Sequence, residues 1–134
     1  MRKQTVPVAV AFGCLLLAAA LSAQYAGWTI PAGGKEEQSP LKATADVVKK
    51  GQSVFQANCQ KCHGPLGKGD GPDSDPKSPA ADLTDDFRTE LNPDGILYYK
   101  VSNGHPPDMP AFKSKLSKDQ IWTVVAYIKT LRKP

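Results

Sequence analysis

Apolar positions fall into four groups along the chain, each with its own spacing. The first is a run of 18 residues from Val6 to Ala23, interrupted only by Pro7, Gly13 and Ser22. The second is Val47, Val48, Gly51, Val54 and Phe55, which recurs at three and four residues and runs into Cys59. That is the period of a helix with one buried face. Thr44 stands ready as its N-cap, and Asp46 falls in the first turn, where a carboxylate favours the helix dipole. The third group is Ile96, Leu97 and Val101. Asn92-Pro93 ahead of it supplies an N-cap followed by proline at the first helical position, and Gly104 can end the helix. The fourth is Ile121, Val124, Val125, Ile128 and Leu131. It follows a capping box, Ser117-Lys118-Asp119-Gln120, and ends in Lys129, Arg132 and Lys133, cations suited to a helix C-terminus.

The stretches between these groups lack periodicity. Gly64 to about Leu91 is rich in Gly, Pro and Asp and reads as loop with a turn of helix. His105 to Pro110 cannot be helical because of its prolines. No run alternates as a strand does. The pattern predicts an all-α domain of three or more helices joined by long loops. Gln24 to Ala43 reads as a flexible linker, of which 20 residues span about 25 Å. The chain thus divides into 1–23, 24–43 and a folded domain over 44–134.

Segment 1–23 places Arg2 and Lys3 before its apolar run. Read as a cleaved secretory signal, it has small residues for processing at Ala20-Leu21-Ser22. Read as an uncleaved anchor, it just reaches the about 18–20 apolar residues of a membrane span. Tyr25 and Trp28 then stand where an interfacial aromatic belt would sit. Both readings export the remainder to the periplasmic side, tethered in one case and soluble in the other. Cys14 lies inside the run and reads as a small apolar residue, since a lipidated cysteine would end such a run.

Composition sharpens the picture. A chain of 134 residues is too short for a TIM barrel or a two-domain dehydrogenase. With 12 Pro and 11 Gly it is rich in loops. A loop-rich domain of this size needs disulfides, a metal or a cofactor to complete its core. The net charge is +4, half of it from Arg2 and Lys3, and no basic cluster is interleaved with aromatics. That excludes nucleic acid as a natural partner. The charge is unevenly spread: Leu66–Asp94 carries 3 bases and 8 acids, Ala111–Pro134 carries 6 bases and 1 acid. Such a split is either ordinary solvated surface or a dipole that orients the molecule towards a charged redox partner.

The chemistry lies in Cys59-Gln60-Lys61-Cys62-His63, the C-x-x-C-H spacing of c-type haem attachment. Cysteines three apart reach the two vinyl groups of one porphyrin, and the next histidine turns its imidazole towards the iron. A zinc site would need Cys59, Cys62, His63 and His105 together, with strain at the adjacent Cys62-His63. A thioredoxin-like dithiol would need a βαβ setting. A sixth iron ligand must come from Met109 or His105, since Met1 is the start and His63 is used. Met109 lies 46 residues after His63 between Asp108 and Pro110, in a proline-stiffened loop. It is the favoured ligand. His105 would give bis-histidine ligation and a lower potential. No nucleophile–base pair or carboxylate dyad stands out, so the residues suggest no enzyme.

These residues resemble class I (monohaem) cytochrome c of the bacterial type over roughly Thr44 to Arg132. The likeness rests on Gly51 and Phe55, the CQKCH motif, the Gly64-Pro65 step and the Gly67–Pro72 loop. Met109-Pro110-Ala111-Phe112 and the closing helix with Trp122 and Tyr127 add to it. The short loop differs from that of mitochondrial-type carriers and is similar to bacterial subunits or fused domains of respiratory complexes. The resemblance implies an all-α fold around one covalent haem c. The first and last helices would cross close to each other at Gly51, with Phe55, Trp122 or Tyr127 packed there. It implies one-electron transfer in a respiratory or related chain, with Cys59 and Cys62 as thioether donors and His63 and Met109 as axial ligands. Partners would be redox proteins or complex subunits. The rival function is a haem ligand-binding or sensor module in which Met109 dissociates. Tyr98, Tyr99, Trp122 and Arg88 are the candidate donors to the haem propionates, and the sequence does not choose among them.

Overall fold

The computed structural model describes residues 25–132. The apolar run over 6–23 lies outside them, and among the described residues no helix is long and apolar enough to cross a membrane. The described helices are α1 (Ala45–Asn58), α2 (Gln60–His63), α3 (Asp86–Leu91), α4 (Asp94–Asn103) and α5 (Lys118–Thr130). Two isolated β-bridges are the only strand-like pairing among those residues. The all-α expectation holds.

The helix starts follow the sequence closely at two of three sites. Thr44 Oγ1 accepts from Val47 N at 3.3 Å. Ser117 and Gln120 form the complete capping box: Gln120 N donates to Ser117 Oγ at 3.2 Å, and Ser117 N donates to Gln120 Oε1 at 2.9 Å. Losing such a cap costs about 1 kcal/mol, which lowers the melting temperature of a domain this size by roughly 5 °C. A Ser117→Ala thermal melt checks that expectation. The third start differs by one residue. Pro93, not Asn92, occupies the cap position of α4, and no side chain caps it. The reason is that the Asn92 carboxamide is committed elsewhere. Its Nδ2 donates to Arg88 O at 2.7 Å, and its Oδ1 accepts from Lys100 Nζ at 2.6 Å.

Helix α5 is the centre of the domain. Its residues from Ile121 to Ile128 are all buried, more than a single stripe predicts. A helix buried on every side needs neighbours on both faces. Helices α1 and α4 supply them. Against α1, Phe55 and Tyr127 meet with ring centroids 5.3 Å apart. On the other side Trp122 stacks on Tyr98 of α4 at 4.3 Å and 23°. Of the three aromatics expected at the α1–α5 crossing, Phe55 and Tyr127 are there, and Trp122 serves the α4 contact. Gly51 is what lets the backbones meet. A Cβ at that position would come within 1.9 Å of Thr123 O.

Within the segment expected to be a flexible linker, residues 25–37 are docked on the domain. Tyr25 OH donates to Leu91 O at 3.0 Å, Asn103 Nδ2 donates to Thr29 O at 2.7 Å, and Tyr99 OH donates to Glu37 Oε2 at 2.6 Å. Residues 25–37 therefore run as a strap along α4. The aromatics read as a membrane belt are part of it: the Lys100 ammonium lies 5.7 Å from the Tyr25 ring centroid and 4.7 Å from that of Trp28. An ammonium over two ring faces adds cation–π attraction to these hydrogen bonds.

Candidate functional site

The CQKCH motif begins where α1 stops. Cys59 is the C-cap of α1, its N–H bonded to Phe55 O, and the chain turns at once into α2. The glycine-rich loop then folds back on that short helix. Gly69 N donates to His63 O at 2.8 Å, Gly71 N to Cys62 O at 3.0 Å and Asp73 N to Lys61 O at 2.9 Å. The loop thus satisfies the carbonyls that end α2 and fixes the direction of His63.

His63 has a defined tautomer. Its Nδ1 lies 3.0 Å from Ala81 O. A carbonyl can only accept, so Nδ1 carries the proton and Nε2 keeps its lone pair. Burial also lowers the imidazole pKa from its ordinary value, against a smaller opposing effect of the Ala81 hydrogen bond. The ring is therefore neutral at neutral pH, with Nε2 available to a metal. A carbonyl on the far nitrogen is the usual device for orienting such a ligand.

His63, Cys59 and Met109 line one cleft. The cleft encloses about 780 Å³ of non-atom space, its open mouth included. Phe55, Leu97, Val101 and Ile128 give it apolar walls. Cys59 is buried, and desolvation first, then the neighbouring Cys62, pushes its thiol up to about 11. It is a neutral thiol at neutral pH. Cys62 is not among the lining residues. Its Sγ lies 3.8 Å from Asp73 O at the outer side of α2. No disulfide joins Cys59 to Cys62. Among the described residues no three His, Cys, Asp or Glu side chains are grouped to hold a bare metal ion.

Met109 reaches the cleft from a narrow loop. His105 N donates to Met109 O at 2.7 Å, and Met109 N donates to His105 O at 3.0 Å. Gly104 closes α4 just before this loop, and Phe112 N bonds back to Val101 O at 3.1 Å just after it. The His105 side chain turns elsewhere. Its ring meets Trp28 at 5.0 Å, and its Nδ1 lies 3.5 Å from Asp108 Oδ2. His105 does not line the cleft.

The polar part of the lining is mostly basic: Arg88, Lys100 and Arg132, with Asn92 among them and Asp82 the one acid. Arg132 Nη2 donates to Asn92 O at 3.5 Å. Burial, then the nearby Arg88 charge, pulls the Lys100 pKa down to about 8. Its hydrogen-bond acceptor, Asn92 Oδ1, is uncharged. Lys100 forms no salt bridge among the described residues, and a half-buried cation so placed suits an anion. Of the four side chains expected near the propionates, only Arg88 lines the cleft; Tyr98, Tyr99 and Trp122 do not. Sequence reasoning missed Lys100, Asn92, Arg132 and Trp28. The basic residues lie on helix and chain-end positions that looked like ordinary surface.

An apolar cleft with a neutral imidazole, a thiol, a thioether and a basic rim fits an apolar macrocycle bearing an iron and carboxylates. Fold and cleft together define an all-α c-type haem domain. Consistent with this, residues 48–132 match the cytochrome c family model, and the chain belongs to that family. It accordingly carries covalent haem c. The cbb3-type cytochrome c oxidase subunit FixP of Azorhizobium caulinodans is 32% identical over 85 residues, covering 63% of this chain and 27% of that protein. FixP of Bradyrhizobium diazoefficiens is 30% identical over 92 residues, covering 69% and 30%. The chain thus spans less than a third of these relatives. Among solved structures, the Kuenenia stuttgartiensis reducing HAO-like protein complex Kustc0457/Kustc0458 is similar at a TM-score of 0.59 and 30% identity, over 70% of this chain and 47% of that one. A c-type cytochrome, KustC0563, shares the fold at a TM-score of 0.52 and 21% identity, over 62% and 98%.

Proposed function

We propose that this protein transfers one electron at a time between redox partners through a single haem with His63 and Met109 as axial ligands. Cys59 and Cys62 are the thioether donors. The observation that carries the reading is the convergence of Cys59, His63 and Met109 on one cleft. Exchange between Fe(III) and Fe(II) is the chemistry the haem supplies when bound. The chain's own residues do the rest. His63 is held neutral and aimed by Ala81 O, so Nε2 can bind without first losing a proton. A Met109 thioether as the iron's second protein ligand would favour the reduced state and raise the potential. With His63 and Met109 both holding the iron, small molecules would be kept from it, which favours electron transfer over ligand sensing. Lys100, Arg88 and Arg132 would hold the propionates.

FixP, by its name, is a subunit of a cbb3-type oxidase, and a comparable place in a respiratory complex is the reading this similarity favours. Export by residues 1–23 belongs to the same proposal. The intact mass of the native protein reads both the added haem and the retention or loss of that segment.

The test of attachment is Cys62→Ala. Loss of one thioether is expected to leave haem weakly attached, with most haem staining lost after denaturing electrophoresis. Full covalent haem in that variant would contradict the assignment. The residual stain is expected from haem held by the single thioether at Cys59.

A further inference from the structure

The strap over residues 25–37 lies outside the 48–132 stretch matched by the family, yet it supplies a wall of the cleft. Trp28 does this while making two other contacts. Its ring meets His105 at 5.0 Å and a tilt of 39°, and the Lys100 ammonium sits 4.7 Å from its centroid. His105 in turn shares two backbone hydrogen bonds with Met109. Gly27 makes the approach feasible. Its φ is +82°, and a Cβ there would come within 2.2 Å of His105 Nε2.

We propose that Trp28 is a positioning residue for the iron's methionine ligand. It clamps His105, steadies the loop that presents Met109, and covers the cleft against outside ligands. The proposal rests on reading Met109 as that ligand. A thioether is uncharged and binds iron weakly, so its retention depends on how firmly its loop is held. The loop has few other side-chain ties: the His105–Asp108 contact is at 3.5 Å and largely exposed. Releasing Trp28 would raise the fraction of molecules in which Met109 is off the iron. An outside ligand gains apparent affinity in proportion to that fraction.

The test uses the full haem-loaded chain with two variants, Trp28→Ala and Gly27→Ala. Ferric protein is titrated with imidazole while the long-wavelength methionine–iron charge-transfer band is followed. Both variants are expected to bind imidazole about tenfold more tightly than the parent, in line with a tenfold larger open fraction. Trp28→Phe is expected to stay near the parent value. A change under threefold in both variants overturns the proposal, even where thermal stability falls, because packing alone lowers stability without opening the iron. Gly27→Ala keeps the tryptophan in the chain but forces the strap away from His105, and decides the matter if Trp28→Ala does not accumulate. A parent protein without the charge-transfer band would overturn the Met109 assignment itself, a different result from an unchanged titration.

Discussion

Met109→Ala is expected to abolish the methionine–iron charge-transfer band, let imidazole and carbon monoxide bind, and lower the reduction potential. The drop should be on the order of 0.1 V or more, within the about 0.8 V over which axial ligands tune haem iron. Met109 lines the cleft with His63, and its loop is pinned at the backbone by His105 and closed by the Phe112–Val101 bond. Removing the thioether leaves that loop without a ligand to offer. His105 cannot easily replace it, because its ring lies between Trp28 and Asp108. Potentiometry and ligand titration of the purified variant check the expectation. An unchanged spectrum would move the assignment to His105. Met109→His is the informative companion: closed iron at a much lower potential.

Gly51→Ala is the second large effect, this time on stability. In an exposed helix interior the change would help by about 1 kcal/mol, since alanine is the better helix former. Here the added Cβ meets Thr123 O at 1.9 Å and Tyr127 Cβ at 2.9 Å. A backbone carbonyl inside a buried helix cannot swing aside, so α1 and α5 must part. Overpacking of this kind costs about 1–3 kcal/mol and occasionally more. The clash outweighs the propensity gain, and a net loss of about 2 kcal/mol is expected, larger for Gly51→Val. Denaturant melts of the haem-loaded protein measure it. Equal or greater stability in Gly51→Ala would show that the crossing has slack.

The parts legible in the sequence are those governed by short-range rules. The capping box at Ser117, the cap at Thr44 and the stop at Gly104 depend on residues within one turn. The helical periods before Cys59 and after Gln120 are equally local. The C-x-x-C-H spacing identifies its chemistry because the motif is complete within five residues. Elimination among two methionines and two histidines leaves Met109 and His105 as candidates for the second ligand, and of these Met109 lines the cleft. What was hidden depends on pairings across long separations. Tyr25 with Leu91, Thr29 with Asn103 and Glu37 with Tyr99 join positions 62 to 74 residues apart. Nothing in an aperiodic, glycine- and proline-bearing stretch announces such partners. Lys100 was hidden for the same reason, as it looks like surface until Trp28 covers it, and Trp28 itself reads as part of an interfacial belt. Asn92 illustrates a subtler limit. Its residue type suits a cap, but its amide found Arg88 and Lys100 instead.

The bond from Tyr25 to Leu91 also determines where the polypeptide enters the domain. It enters beside Trp28, on the flank of the cleft, with no slack between that point and α4. A 25 Å leash would let the domain tumble freely and present every face in turn. Held along residues 25–37, the strap has bearing in place of reach: it turns with the domain as part of the surface around the cleft. A redox partner arriving at that flank therefore meets a fixed wall that includes Trp28, not a loose chain to be pushed aside.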